Sequence, residues 1–276
     1  MTKVYIYLDY SNDKHTVLYP RCLAKGYDVM LVKDISKLNT RNCCIIGTNV
    51  EFQYNIFKNI NNFDCYNLFD NKSGFYNYLK SNVDLWPNLY LIPCYDTTYT
   101  GPNINKSFMV KKNNGYSSAF NEIIKGNIQD IIKKYSSLYQ IQDIMDVKHI
   151  YGVSVSCLYG KIMGVYSYRT FEAITEETQR KGFNAVRNNY IIYPEVKEFI
   201  KKLVKKVSYN GFIEVEFIID KNDKIYIMEC NPRISGSLRV PPYFDWLVDP
   251  YIRNYLKNPN NIYEIDLDNK ALWQNT

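Results

Sequence analysis

Apolar residues fall into short blocks of two kinds along the first seventy positions. Val4–Leu8, Tyr27–Lys33, Asn42–Gly47 and Phe63–Leu68 are compact apolar runs with the length of strands. His15–Lys25 instead places Val17, Leu18, Cys22 and Leu23 at helical spacing and stops at Gly26, and Val50–Asn59 repeats that helical pattern. Strands alternating with helices predict a small parallel α/β lobe ending near residue 70. The lobe contains no G-x-G-x-x-G run, so it carries no dinucleotide fingerprint.

Beyond it the pattern changes. Asp70–Leu79 opens a helix, with Ser73 as the expected cap. Ser107–Lys112 is a strand that runs into the small-residue loop Asn113–Ser118, and Tyr139–Met145 is a strand running into a loop. Gly152–Tyr159 and Lys161–Arg169 form a hairpin around Gly160. Phe171–Arg187 is mixed and polar, as expected of a segment lining a substrate entrance. Pro194–Tyr209 is amphipathic: Val196, Phe199, Ile200, Leu203, Val204 and Val207 form one stripe, and Lys201, Lys202, Lys205 and Lys206 form a solvated face. Pro241–Lys257 reads as one apolar helix closing the core.

The most informative stretch is Asn210–Val240. Phe212–Ile219 and Lys224–Cys230 are β-rich, with the polar turn Asp220-Lys-Asn-Asp223 between them. Pairing Ile219 with Lys224 puts Ile213, Val215, Phe217, Ile219, Tyr226, Met228 and Cys230 on a core face. The other face then carries Glu214, Glu216, Ile218, Ile225, Ile227, Glu229 and Asn231, with Glu214 opposite Glu229 and Glu216 diagonal to it at roughly 7–8 Å. Facing acids destabilise a sheet unless a cation sits between them. Carboxylates plus an amide oxygen are hard ligands suited to Mg²⁺ or Mn²⁺, and Mg²⁺ commonly arrives with phosphates. Arg233 adds a planar fork for a phosphate or carboxylate.

Composition narrows the picture further. A chain of 276 residues with 46% hydrophobic residues can build one large domain or two to three lobes around a sizeable core. The net charge of +6 is dispersed without a long basic run, so an anionic small ligand suits it and nucleic acid is not called for. Seven cysteines, with Cys43 and Cys44 adjacent and no C-x-x-C, argue against a disulfide framework or zinc site and for a reducing compartment. No run approaches the ~18 apolar residues of a membrane span, and the N-terminus has no signal-peptide character. A soluble cytoplasmic protein is expected.

Gly211…Glu216-Phe217…Glu229-Cys-Asn231-Pro-Arg233 resembles the metal-binding signature of the ATP-grasp superfamily, in the branch of biotin carboxylase, carbamoyl-phosphate synthase and the carboxylate–amine ligases. Three further elements follow in the family's order. Asp70–Leu79 resembles the helix whose lysine reaches the ATP phosphates, which singles out Lys72. Ser107–Ser118 resembles the strand and phosphate loop, which implies Lys111, Gly115, Ser117 and Ser118; Lys112 stands where the family usually has Pro. Gln142, Asp143 and Met145 match the adenine-edge positions in type and spacing. The family's ribose acid is missing, and only Asp146 and His149 could substitute for it.

The resemblance covers roughly residues 1–257 and implies an α/β ATP-grasp fold. It implies an N-terminal parallel α/β lobe (1–70) and an ATP-grasp core (71–276), the latter divided into a central ATP lid (about 106–165) and a mainly antiparallel metal-binding lobe (about 166–276). It also implies ATP and Mg²⁺ (or Mn²⁺) as cofactors, Glu216, Glu229 and Asn231 as metal ligands, and Arg233 as the catalytic contact to an acyl phosphate. The expected reaction joins a small-molecule carboxylate to an amine, splitting ATP to ADP and phosphate. The rivals are a non-catalytic ATP-binding module and another ATP-grasp reaction, thiol ligation or carboxylation. Ser237 stands where the carboxylase's bicarbonate-site acid would be, which argues against carboxylation.

Overall fold

The computed structural model describes residues 2–7, 14–36, 42–59, 63–114, 121–170 and 192–269. The N-terminal lobe is a parallel sheet of β1 (Lys3–Tyr7), β2 (Asp28–Val32) and β3 (Cys43–Gly47) in the order β2-β1-β3, with α1 (His15–Ala24) and α2 (Val50–Phe57) as its helices. Val4, Ile6, Leu18, Cys22, Cys44 and Ile46 are buried together, which accounts for the apolar runs. Phe63–Leu68, expected as a fourth strand, is instead the helix α3 (Cys65–Asp70). Asp64 caps it by accepting from the Asn67 N–H, and the buried Cys65, Tyr66 and Phe69 follow helical spacing.

Helix α4 (Lys72–Lys80) follows directly. Asn71, not Ser73, is its cap, accepting from Gly74 N at 2.7 Å, while Ser73 Oγ donates to Asn113 Oδ1 at 2.6 Å. After β4 (Tyr90–Leu91) comes a four-stranded antiparallel sheet of β5 (Cys94–Tyr95), β6 (Asn105–Lys112), β7 (Glu122–Asn127) and β8 (Tyr139–Asp143), in the order β5-β8-β6-β7, with α5 (Ile128–Tyr135) across it. It has its own small core of Phe108, Val110, Ile128, Ile131, Ile132 and Ile141.

The largest sheet has the order β10-β9-β11-β12-β4, from β9 (Val147–Leu158), β10 (Lys161–Arg169), β11 (Gly211–Asp220), β12 (Ile225–Asn231) and β4. The expected lid span of about 106–165 therefore runs past the four-stranded sheet, which ends at Asp143, into β9 and β10 of this one. Tyr159 and Gly160 both have positive φ, 53° and 72°, and turn β9 into β10 as a tight hairpin. Helix α6 (Pro194–Lys206) buries the expected stripe from Val196 to Val204, with the Phe199 and Phe217 rings 6.0 Å apart edge to face.

Pro241–Tyr255 is continuously helical, close to the expected bounds, but its middle is π-helical: α-helical Pro241–Tyr243 runs into a π-turn at Phe244–Val248 and then into α7 (Asp249–Tyr255). Pro250 has no N–H to return to the carbonyl of Trp246, so the helical ladder is interrupted there. Ser156 Oγ donates to the nearby Leu247 carbonyl at 2.7 Å. Among the described residues no helix is long and apolar enough to cross a membrane.

Candidate active site

The register of the β11–β12 hairpin differs from the expected one. Ile219 pairs with Ile225, and a bulge between Glu216 and Phe217 moves the rest, so that Glu216 lies opposite Glu229 and Glu214 opposite Asn231. The bulge also exchanges side chains between faces. Ile225 and Ile227 join the main core, whereas Tyr226 and Met228 join Ile218, Ile92, Val147 and Ile150 on the opposite side. A period-two reading had these two pairs reversed. The three residues expected as metal ligands keep one face: Glu216 and Glu229 as direct cross-strand partners, and Asn231 two residues further on.

Each acid has a distinct setting. Glu216 Oε1 accepts from Tyr168 Oη at 2.6 Å. Tyr168 reaches it across Gly152, the register partner of both residues; a Cβ there would meet the tyrosine ring at 2.3 Å. Glu214 is buried and accepts from Ser154 Oγ at 2.8 Å. Glu229 is the centre of the cluster. Lys72 Nζ stands 3.7 Å from its Oε2, and Asn231 Nδ2 lies 3.5 Å from its Oε1. Burial pushes the Glu229 carboxyl up, but Lys72, Lys111, Arg233 and Asn231 outweigh it and hold the group below its ordinary value.

Lys111 is 5% exposed, whereas Lys112 beside it is exposed, as alternation along β6 requires. Burial pulls the Lys111 ammonium down; Glu229 opposes this, Lys72 reinforces it, and Glu216 opposes it again. Gln140, which the sequence reading passed over, is the register partner of Lys111. Its Nε2 donates to the Lys72 carbonyl at 3.2 Å, and its buried Oε1 has no partner among the described residues. A buried amide oxygen left open beside Lys111 and Lys72 suits a ligand or water there. Arg233 Nη2 donates to Asn231 Oδ1 at 2.8 Å, so the arginine and the amide expected to act in the site are bound to each other. Asp70, also unassigned from sequence, has its carboxyl raised by burial, with Arg233 and Lys72 lowering it and Glu229 raising it further.

The adenine-edge residues lie at one end of the sheet. Asp143 and Met145, with Pro93, Asp220, Lys221 and Tyr226, line a cleft of about 300 Å³. Gln142 is buried beside it, paired with Cys94 and Met109. The Asp143 carboxylate is held by Tyr95 Oη at 2.9 Å and Lys106 Nζ at 2.8 Å. The two ribose substitutes are engaged elsewhere: Asp146 pairs with Lys221 at 2.7 Å on the cleft rim, and His149 Nδ1 lies 3.1 Å from the Thr170 carbonyl. Gly115, Ser117, Ser118 and the segment 171–187 lie outside the described residues.

The donor set fits a hard divalent ion. Two facing carboxylates and an amide oxygen are all-oxygen ligands, and phosphate oxygens would complete the coordination. Among the described residues no group of three or more His, Cys, Asp and Glu side chains is placed to hold a metal ion.

The sequence model of the ATP-grasp domain matches residues 69–237, more than half of the chain. No curated protein sequence matches it. Among solved structures, carboxyaminoimidazole ribonucleotide synthase from Aspergillus clavatus, complexed with ATP, is similar with a TM-score of 0.58 and 13% identity, over 96% of this chain and 80% of that one. A RiPP-associated ATP-grasp ligase from Chryseobacterium gregarium, in complex with ADP and a leader and core peptide, gives a TM-score of 0.57 at 11% identity over 96% and 100%. L-amino acid ligase from Bacillus licheniformis gives 0.50 at 14% over 86% and 68%. These likenesses are ones of fold, and with the match over 69–237 they place this chain in the ATP-grasp family.

Proposed function

We propose that the chain is an ATP-dependent carboxylate–amine ligase that forms an amide through an acyl phosphate, releasing ADP and phosphate. The observation that carries this reading is the convergence on Glu229. Three cationic side chains, Lys72, Lys111 and Arg233, act on one carboxylate that faces Glu216 across the hairpin. Such a mixed cluster suits a polyphosphate chain: lysines for its oxygens, and paired acids for the cation that accompanies it. Domain roles follow the sheets. The four-stranded sheet carrying Lys111 serves as the lid, the five-stranded sheet holds Glu216, Glu229 and Asn231, and residues 1–70 form the preceding lobe.

A carboxylate is a poor electrophile, and phosphorylating it makes its carbonyl open to an amine. That transfer depends on positioning and charge neutralisation more than on covalent help. Glu216, Glu229 and Asn231 would hold Mg²⁺, which supplies charge neutralisation on the terminal phosphates. Lys72 and Lys111 bind phosphate oxygens. Arg233, fixed by its bond to Asn231, orients the transferred group against the substrate carboxylate. Asp143 and Met145 line the cleft that takes the base. Amide formation is favoured over carboxylation because Ser237 supplies no carboxylate for a bicarbonate site.

The nucleotide product tests the reading. A cluster gathered on the terminal phosphates transfers the γ group, so turnover with a competent acid and amine yields ADP and phosphate. Formation of AMP and pyrophosphate contradicts it.

A further inference from the structure

A cavity beside the C-terminal helices lies away from the cleft lined by Asp143 and Met145. It encloses about 450 Å³ between β10, the π-turn Phe244–Val248, α7 and the following tail. Its floor is apolar, built from Met163, Val165, Trp246, Pro250 and Ile265, with Tyr263 at its edge and 71% exposed. A cavity of this size with an apolar lining and a few polar groups has the character of a small-molecule site. The π-turn forms part of its wall, and such turns recur at functional sites.

The charges at its mouth select the sign of the ligand. Asp245, the one acid lining it, is neutralised by Lys25 at 2.6 Å. Arg253 is paired with the buried Asp249. Lys257 Nζ donates to an amide oxygen, Asn254 Oδ1, at 2.9 Å, and no carboxylate among the described residues pairs with it. The neighbouring Glu264 turns its carboxylate to the backbone N–H of Ile162 at 3.4 Å. Among the described residues the mouth thus presents one cation without a counter-charge, Lys257, at the end of an apolar trough.

We infer that this cavity is a second ligand site, which takes a small apolar carboxylate: an aryl or alkyl chain against Val165, Trp246 and Ile265, and the carboxylate on Lys257. The inference stands apart from the ligase reading, because none of these residues belongs to the nucleotide site.

Calorimetric titration of the full chain with 4-phenylbutyrate and with octanoate tests it, using the corresponding amides as neutral counterparts. Both acids should bind the wild type. Lys257→Gln should weaken the acids at least tenfold and the amides less than twofold, and Ile265→Trp, which fills the trough, should abolish binding of both. Lys257 is exposed, so the Lys257→Gln arm does not depend on whether Ile265→Trp folds. Wild-type protein that binds neither acid, or Lys257→Gln protein that binds the acids as tightly as wild type, overturns the proposal.

Discussion

The side-chain amide of Gln53 donates to the backbone carbonyl of Pro232, the residue between Asn231 and Arg233. Gln53 is fully buried on α2 of the N-terminal lobe. The same amide donates to the Phe212 carbonyl at 2.9 Å and accepts from the Phe212 N–H, so it fixes the start of β11 to the turn after β12. Gly211 has φ of 96° and makes room for it, since a Cβ there would stand 2.2 Å from Gln53 Oε1. The N-terminal lobe thus holds the turn that carries Asn231 and Arg233.

Replacing Gln53 with Leu leaves the Phe212 N–H and the Pro232 carbonyl buried without partners. The expected cost is ~3 kcal/mol, which lowers Tm by roughly 6–12 °C. ADP affinity should fall as well, because Asn231 and Arg233 lose their anchor. A thermal melt and an ADP titration read both, and an unchanged Tm contradicts the assignment.

Lys111 and Lys112 make an internal comparison. Lys111→Ala should weaken binding of a non-hydrolysable ATP analogue by at least tenfold, roughly 1.4 kcal/mol, and Lys112→Ala by less than twofold. Burial of the first and exposure of the second set the order. Equal losses in calorimetry would place the strand's faces wrongly.

Much of this was readable in advance, for identifiable reasons. The residue types of the hairpin and the spacing of Lys72, Lys111 and Gln142 carry the family resemblance without any knowledge of packing. Helix α6 was legible because six apolar positions repeat at one period. What failed was local. The bulge beside Glu216 inverts which of Ile225 to Met228 face the core, and no period shows an extra residue. Residues 63–68 are short enough for strand and helix patterns to look alike, and the Asp64 cap decides between them. Gln140 and Gln53 are single polar residues whose partners lie 68 and 179 positions away, so neither has a sequence signal.

Asp70 should reveal itself through pH. Its folded carboxyl is raised above the ordinary value of 3.8, first by burial. The folded state therefore keeps its proton to higher pH than the unfolded chain, and stability is lost as pH rises from 3.8 through the folded value. Asp70→Asn should remove that loss and raise the Tm of nucleotide-free protein at pH 7. The gain should vanish below the ordinary value. Melts of both proteins from pH 3 to 8 provide the measurement, and a variant less stable at pH 7 contradicts the assignment.

Glu229→Gln preserves size and removes the charge on which Lys72, Lys111 and Arg233 converge. The variant should fold and lose Mg²⁺-dependent turnover. Wild-type rates at limiting Mg²⁺ would remove Glu229 from the metal set.

The acyl phosphate is the central claim, and trapping it is the most direct test. The full chain, Mg²⁺ and ATP are incubated with a library of carboxylic acids and hydroxylamine but no amine, and hydroxamate and ADP are followed together. The expected result is hydroxamate in amounts matching ADP with at least one acid, and none with Glu229→Gln. ADP release dependent on an acid but without hydroxamate, or ATP binding with no turnover across the library, would contradict the ligase mechanism.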